Sequence, residues 1–221
     1  MIAGLLLVGA SGLARELIAA GISGVVGILD DDETLWGTDV DGVPVRGGTA
    51  TARRRSERLL VCVGQGAARA AIVAQLRGWG VTDERFATYI APSARLGTTS
   101  TVGRGSIVLD GVVVTAHARI GRHVVVMPNC TITHDDVIED AATLAAGVAL
   151  GGGVRVGAQA YIGMNAAVRQ GSRIGAGATV GMSAAVLGDV PAGETWVGVP
   201  ARPMGARTRD AVVTGVREER V

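Results

Sequence analysis

Read in sixes from Ile90, the chain runs IAPSAR LGTTST VGRGSI VLDGVV VTAHAR IGRHVV VMPNCT ITHDDV to Val137, and an aliphatic residue opens every group. The series goes on through Ile138, Leu144, Leu150, Val156, Ile162, Val168, Ile174 and Val180 to Val186, seventeen positions without a break. A strand repeats every two residues and an α-helix every 3.6, so a strict period of six fits neither. Only a chain wound into short, equal, flat segments returns the same position to one interior at that spacing. Fixed-period self-similarity of this kind predicts a solenoid, and the unbroken run predicts one with no inserted loop.

Four residues after each aliphatic comes a residue no larger than valine, with one charged exception, Asp136. Alternating large and small inward residues suit a narrow coil. The residue after the aliphatic is often glycine, as at Gly97, Gly103, Gly121, Gly151, Gly157, Gly163, Gly175 and Gly181, which we read as sites of sharp bending. This pattern resembles the left-handed parallel β-helix of the hexapeptide acyltransferases, which implies three hexads per triangular coil and nearly six coils. At about 2 kcal/mol per buried aliphatic side chain, the column alone makes a large core.

Hydrophobic residues make up 48% of the 221 positions but aromatics only 3%, as a thin-cored solenoid requires. The net charge of +1 gives no sign of nucleic acid or a charged membrane surface. All the basic residues are arginine, from which no function is read. Cys62 and Cys130 sit in apolar segments and read as buried, reduced thiols. The apolar start of the chain is too short to span a bilayer and lacks a basic leader, so a cytoplasmic protein is expected.

Residues 1–88 lack the sixfold period. Leu5–Val8 reads as a strand, Gly9–Gly12 as a turn, Ala14–Ala20 as a helix and Val25–Leu29 as a strand ending in Asp30-Asp31-Asp32. Leu59–Val63 is a third strand, followed by Gly64-Gln65-Gly66 and a helix to about Trp79. Alternating β and α with glycine turns after strands predicts a small parallel, Rossmann-like sheet. The chain therefore divides into residues 1–88 and a β-helix over 89–221, whose last segment, Ala206–Val221, reads as a helix or a frayed tail. Gly9-x-x-Gly12 lacks the full dinucleotide fingerprint. It is either a tight βα turn or a helix N-terminus whose amides hold a phosphate, with the acidic end of the second strand meeting a sugar hydroxyl.

In the implied coil register, His117 and His134 fall one layer apart, on the order of 5 Å, and His123 on the next face. His134 holds an outward position and is followed by Asp135. A neutral imidazole with a neighbouring carboxylate is a candidate general base. Asp136 occupies a small inward slot, where it pairs with Thr131, with backbone amides or with His117. A zinc site would need three nitrogens converging on one point, with His123 supplied by another subunit; no metal is expected.

Taken together, Gly9-Ala-Ser-Gly-Leu-Ala-Arg-Glu16, Gly27-Ile-Leu-Asp-Asp-Asp32, Ile90-Ala-Pro-Ser-Ala94, Thr133-His-Asp-Asp136, Tyr161-Ile-Gly-Met-Asn165 and Val197-Gly-Val-Pro-Ala-Arg-Pro203 resemble the sugar O/N-acetyltransferases. That family includes bacillosamine- and perosamine-type N-acetyltransferases and sialic acid O-acetyltransferases. The resemblance implies His134 as base and Asp135 as its orienting carboxylate. It implies acetyl-CoA along the coil edge between subunits of a homotrimer, near Thr143, Gly152, Met164 and Met182. A nucleotide-linked amino sugar would contact Ser11, Gly12, Leu13, Asp30, Asp31 and Gly64. Leu13 and Thr143 stand where the family often has histidines, and Asp136 where it has a small residue, commonly cysteine. Transfer would be direct, since Cys130 points into the coil and no other residue is placed as a nucleophile. O-acetylation of a sugar is the close alternative, and a non-catalytic scaffold the alternative of another class.

Overall fold

A computed structural model describes residues 4–205, so the expectation for Ala206–Val221 lies outside the described residues. Strand β1 (Leu5–Val8) is buried at all four positions, as expected for a parallel strand covered on both faces. It lies between β2 (Val25–Leu29) and, across a short hairpin of β3 (Asp39–Val40) and β4 (Val43–Pro44), the later strand β5 (Arg58–Val61), both parallel to it. Helix α1 (Gly12–Ala19) follows β1 and is capped by the Ser11 hydroxyl, which accepts from the Leu13 amide at 3.1 Å. It buries Leu13, Ala14 and Leu17. Helix α2 (Gly66–Gly78) follows β5 and buries Arg69, Val73 and Leu76 among its longer side chains.

From Tyr89 onward each hexad contributes a two-residue strand, and the strands stack in three parallel sheets. The first face runs from Tyr89–Ile90 to Thr179–Val180, the second from Arg95–Leu96 to Ala185–Val186, and the third from Thr101–Val102 to Arg173–Ile174. Partners such as Val114 with Ile132 and Ile120 with Ile138 lie eighteen residues apart, so three hexads make one coil. The first, second and third corners are the turns that follow the faces of the same number. Thr195–Val197 and Arg202–Pro203 extend the first face as an antiparallel pair at the far end.

The aliphatic column and the small column meet in one core from Val108 to Val190. The column is not buried along its whole length. Ile90 is 41% exposed, and Leu96 and Val102 are only partly covered, because no coil lies beneath them.

The corner geometry corrects the reading of the glycines. The left-handed residue is the third after the aliphatic, at every sixth position from Gly105 to Ser183, and it is more often another residue (His117, His123, Asn129, Asp135, Ala141, Gln159, Asn165 or Ser183) than glycine. The glycines directly after the aliphatics answer a different demand. A Cβ on Gly97 would sit 1.9 Å from the Thr115 carbonyl oxygen, and one on Gly163 2.6 Å from the Met182 amide nitrogen. They let successive coils approach; they do not bend the chain.

The parallel sheet packs on the first face, its apolar residues Leu5, Leu7 and Leu60, with Leu13 of α1, sharing a cluster with Ile107, Leu109 and Val125. At the edge of this seam a Cβ on Gly66 would meet the Ala141 carbonyl at 2.3 Å, so α2 begins in contact with the third corner. Arg69, one turn later, is fully buried. Its Nε donates to the His123 carbonyl at 2.6 Å, and its two terminal nitrogens reach the carbonyls of Val63, Gly64, Ala141 and Ala142 and the Thr143 hydroxyl. Among the described residues no carboxylate takes part. Burial lowers its pKa to about 10, which leaves it charged at neutral pH. Among the described residues, no helix is long and apolar enough to cross a membrane.

Candidate active site

Residues 133–136 form the second corner on the coil that begins at Ile132. Asp135 takes the left-handed position, with φ of 63°. That turn sets His134 and Asp135 side by side, and His134 Nδ1 lies 2.9 Å from Asp135 Oδ2. A carboxylate oxygen accepts, so this contact selects the neutral tautomer with the proton on Nδ1 and the lone pair on Nε2. The histidine side chain is 67% exposed, which leaves Nε2 open to a ligand.

Gly152 lies one coil above. A Cβ there would be 2.3 Å from His134 Nε2 and 2.4 Å from Cε1. Its lack of a side chain is the space the imidazole occupies. Gly152→Ala is therefore expected to push the exposed ring aside without disturbing the coil. The thermal transition should stay within about 2 °C of the native protein, while turnover falls at least about tenfold. Steady-state kinetics alongside a melting curve check both.

Asp136 points inward and is fully buried. Its carboxylate accepts from the amides of Thr133 at 2.7 Å and Val154 at 2.8 Å, which selects backbone amides among the partners expected for it. Burial raises its pKa to about 6 against the opposing hydrogen bonds. Folding thus favours the protonated form, a contribution present below about pH 4 and lost as pH rises through about 6.

The other histidines do not join His134. His117 stands in register with Asp135 rather than with His134, since the Asp135 amide donates to the Ala116 carbonyl. His123 is 4% exposed at the third corner, its ring perpendicular to Phe86 with centroids 4.7 Å apart. Among the described residues neither of its ring nitrogens has a hydrogen-bond partner, and burial lowers its pKa to about 4, so the ring is neutral. Among the described residues no three His, Cys, Asp or Glu side chains cluster as a metal site would need.

The residues expected to hold the donor separate. Met164 and Met182 are exposed at the first corner, 48% and 70%, while Gly152 is at the second. Thr143 is corrected: it is 3% exposed in the seam, where its hydroxyl donates to the Gly64 carbonyl at 2.7 Å and accepts from Arg69. It has no surface to offer a coenzyme.

The residues expected to hold the acceptor gather at the carboxyl ends of β1, β2 and β5, but several are already engaged. Asp30 accepts from the amides of Ala10 and Asp32, and Asp31 from that of Thr49. The Ser11 hydroxyl donates to the Cys62 carbonyl. Leu13 is corrected as well, its side chain turning into the core beneath α1. Gly12 and Gly64 are exposed, and a Cβ on either would meet nothing within 4 Å. Beside Gly64, a cleft of about 550 Å³ opens between the start of α2 and Gln159, Tyr161, Gly177 and Thr179 of the coil. Cys62 and Cys130 are free and buried, and burial pushes the Cys130 thiol up to about 11, well away from a nucleophile's range.

No protein-family model and no curated protein sequence matches the chain. Solved structures do. A GDP-perosamine N-acetyltransferase from Caulobacter crescentus, a histidine-to-alanine variant in complex with CoA and GDP-perosamine, is 30% identical. The TM-score is 0.84, over 93% of this chain and 99% of that one. The chain belongs to the hexapeptide-repeat sugar acetyltransferases. The acetyltransferase domain of PglB from Neisseria gonorrhoeae FA1090, in complex with acetyl coenzyme A, is 29% identical with a TM-score of 0.83, over 92% of this chain and all of that one. WeeI from Acinetobacter baumannii AYE follows at 27% and 0.81, over 91% and 99%. As a member of these sugar acetyltransferases the protein is an acyltransferase built on a parallel β-helix.

Proposed function

We propose that the protein is an acetyl-CoA-dependent N-acetyltransferase of a nucleotide-linked amino sugar, with His134 as general base. The observation that carries this reading is the His134 ring itself, its Nδ1 tied to Asp135 and its Nε2 in the space left by the missing side chain of Gly152. Bound acetyl-CoA supplies the acetyl group as a thioester. His134 Nε2 accepts the proton that the acceptor nitrogen loses as it attacks the thioester carbonyl, the C–S bond breaks, and the proton passes on to the departing CoA thiolate; Asp135 holds the tautomer and balances the imidazolium charge in between. The complexes of the Caulobacter and Neisseria proteins with CoA, acetyl-CoA and GDP-perosamine support the choice of donor and acceptor class.

In this reading residues 1–88 are a Rossmann-like nucleotide-sugar-binding domain, and the chain from residue 89 is a left-handed β-helix acyltransferase domain. Gly12, Asp31 and Gly64 are the exposed candidates for acceptor binding. Gly152, Met164 and Met182 remain for the donor, the methionines offering apolar surface to its pantetheine arm. Because the methionines and His134 lie at different corners, one chain does not assemble the site. A homotrimer, setting the first corner of one copy beside the second corner of the next, would do so.

The test is release of CoA thiol by purified protein given acetyl-CoA and UDP-, GDP- and dTDP-linked 4-amino sugars, with sialic acid as the O-acetylation control. Release with one amino sugar is expected. Release with sialic acid alone would move the reading to O-acetylation, and silence without acetyl-CoA binding would sink it in favour of a scaffold.

A further inference from the structure

One rung is missing from the coil. At every sixth residue from Ala91 to Arg169, the amide just after the core aliphatic donates to the carbonyl of the aliphatic one coil later: Thr115 to Ile132 at 3.0 Å, Ala145 to Ile162 at 2.8 Å, Gly151 to Val168 at 2.9 Å. Among the described residues, Thr133 alone departs from this. Its N–H goes to the Asp136 carboxylate, and its hydroxyl takes the Leu150 carbonyl at 3.1 Å instead. The strands agree. Thr131–Ile132 shares two residue pairs with the strand below but only one with Ala149–Leu150 above. The break falls in the coil that carries His134, on the side facing Gly152.

Asp136 differs from the residues that fill the same inward slot elsewhere. Ser100 and Ser106 each accept the amide eighteen residues on and donate to the carbonyl fifteen residues on. Cys130 donates to the Ala145 carbonyl at 3.1 Å. None of them takes an amide from its own turn. A carboxylate cannot donate, so Asp136 collects two amides, one from the turn of His134 and one, Val154, from the turn of Gly152. A buried carboxylate is a costly way to fill a slot that serine fills elsewhere. That cost points to a local role.

We propose that Asp136 is a positioning residue: by diverting the Thr133 amide from Leu150 it sets the spacing between the His134 turn and the Gly152 turn, and so the place of Nε2. The proposal rests on His134 being the base. Asp136→Ser restores the side chain used at Ser100 and Ser106 and frees the Thr133 amide to rejoin the ladder, whereas Asp136→Asn keeps the size and one acceptor. Both are to be assayed beside the native enzyme and His134→Ala, with melting curves for each. The expected result is a kcat for Asp136→Ser about 10- to 100-fold lower at KM values within about threefold of native, with Asp136→Asn between. Its thermal transition should be equal or higher, and a crystal structure should show Thr133 N–H on the Leu150 carbonyl. A kcat within about twofold of native overturns the proposal, as does a loss that merely tracks loss of folded protein. Full turnover by His134→Ala overturns the base assignment and this proposal with it. An inactive His134→Ala beside a native-like Asp136→Ser overturns this proposal alone.

Discussion

His134→Ala is expected to lower acetyl transfer by about 10²- to 10⁴-fold, the usual contribution of a positioned general base. The fold should not notice. The side chain is 67% exposed and, among the described residues, bonds only to its neighbour Asp135, so the melting temperature should match that of the native protein. Asp135→Asn should cost less, because an amide tolerates the left-handed corner and still bonds to Nδ1, but it loses the charge that steadies the imidazolium. Initial rates of thiol release for the three proteins decide the order. Turnover by His134→Ala within about tenfold of native would remove His134 from the chemistry and leave the corner pair as surface structure.

Arg69→Met is expected to have the largest effect on stability. Methionine roughly fills the volume but leaves the carbonyls of His123, Val63 and Ala141 in the seam short of a donor, while those of Gly64 and Ala142 keep the Thr143 hydroxyl and the Val125 amide. Orphaned buried acceptors cost about 1–3 kcal/mol each where no water reaches them. Partial relaxation brings the total to about 3–5 kcal/mol, or a fall of about 10 °C in Tm. Arg69→Lys should recover only part of this, since an ammonium cannot fork toward acceptors on α2's own turn and on the third corner together. A Tm for Arg69→Met within about 3 °C of native would show that the seam is held by its apolar cluster instead.

The coil was legible because its period is one that neither helix nor strand can produce. The histidine and aspartate at its second corner were legible because adjacency in sequence becomes a hydrogen bond when one of the pair takes the left-handed position. What escaped the sequence needed partners far along the chain. Arg69 sits in an apolar helix, and the acceptors of its guanidinium extend to residue 143. Thr143 read as a coenzyme residue because position alone cannot say that another part of the chain covers it. Asp136 had three possible partners in the sequence, and only the coil above showed that a Val154 amide was waiting. The corner glycines misled for a simpler reason: a backbone that must bend and a backbone that must be approached both ask for glycine. A useful sign was present in the fourth position of each hexad, where Gly, Asn, Asp and His recur as the residues that best tolerate positive φ.

Since axial neighbours stand eighteen residues apart as far as Val186, a residue's position in that stretch works as an address. The remainder on division by eighteen names the face or corner, and the quotient names the storey. Adding eighteen residues would raise the tower by one floor and leave every corner where it was. Adding six between Ile138 and Ala146 would carry everything downstream one corner round, sending Gly152 away and leaving Ala146 above His134. Related enzymes of this build are therefore free to differ in height by whole coils but not in the six-residue step. The chemistry resides in the remainder.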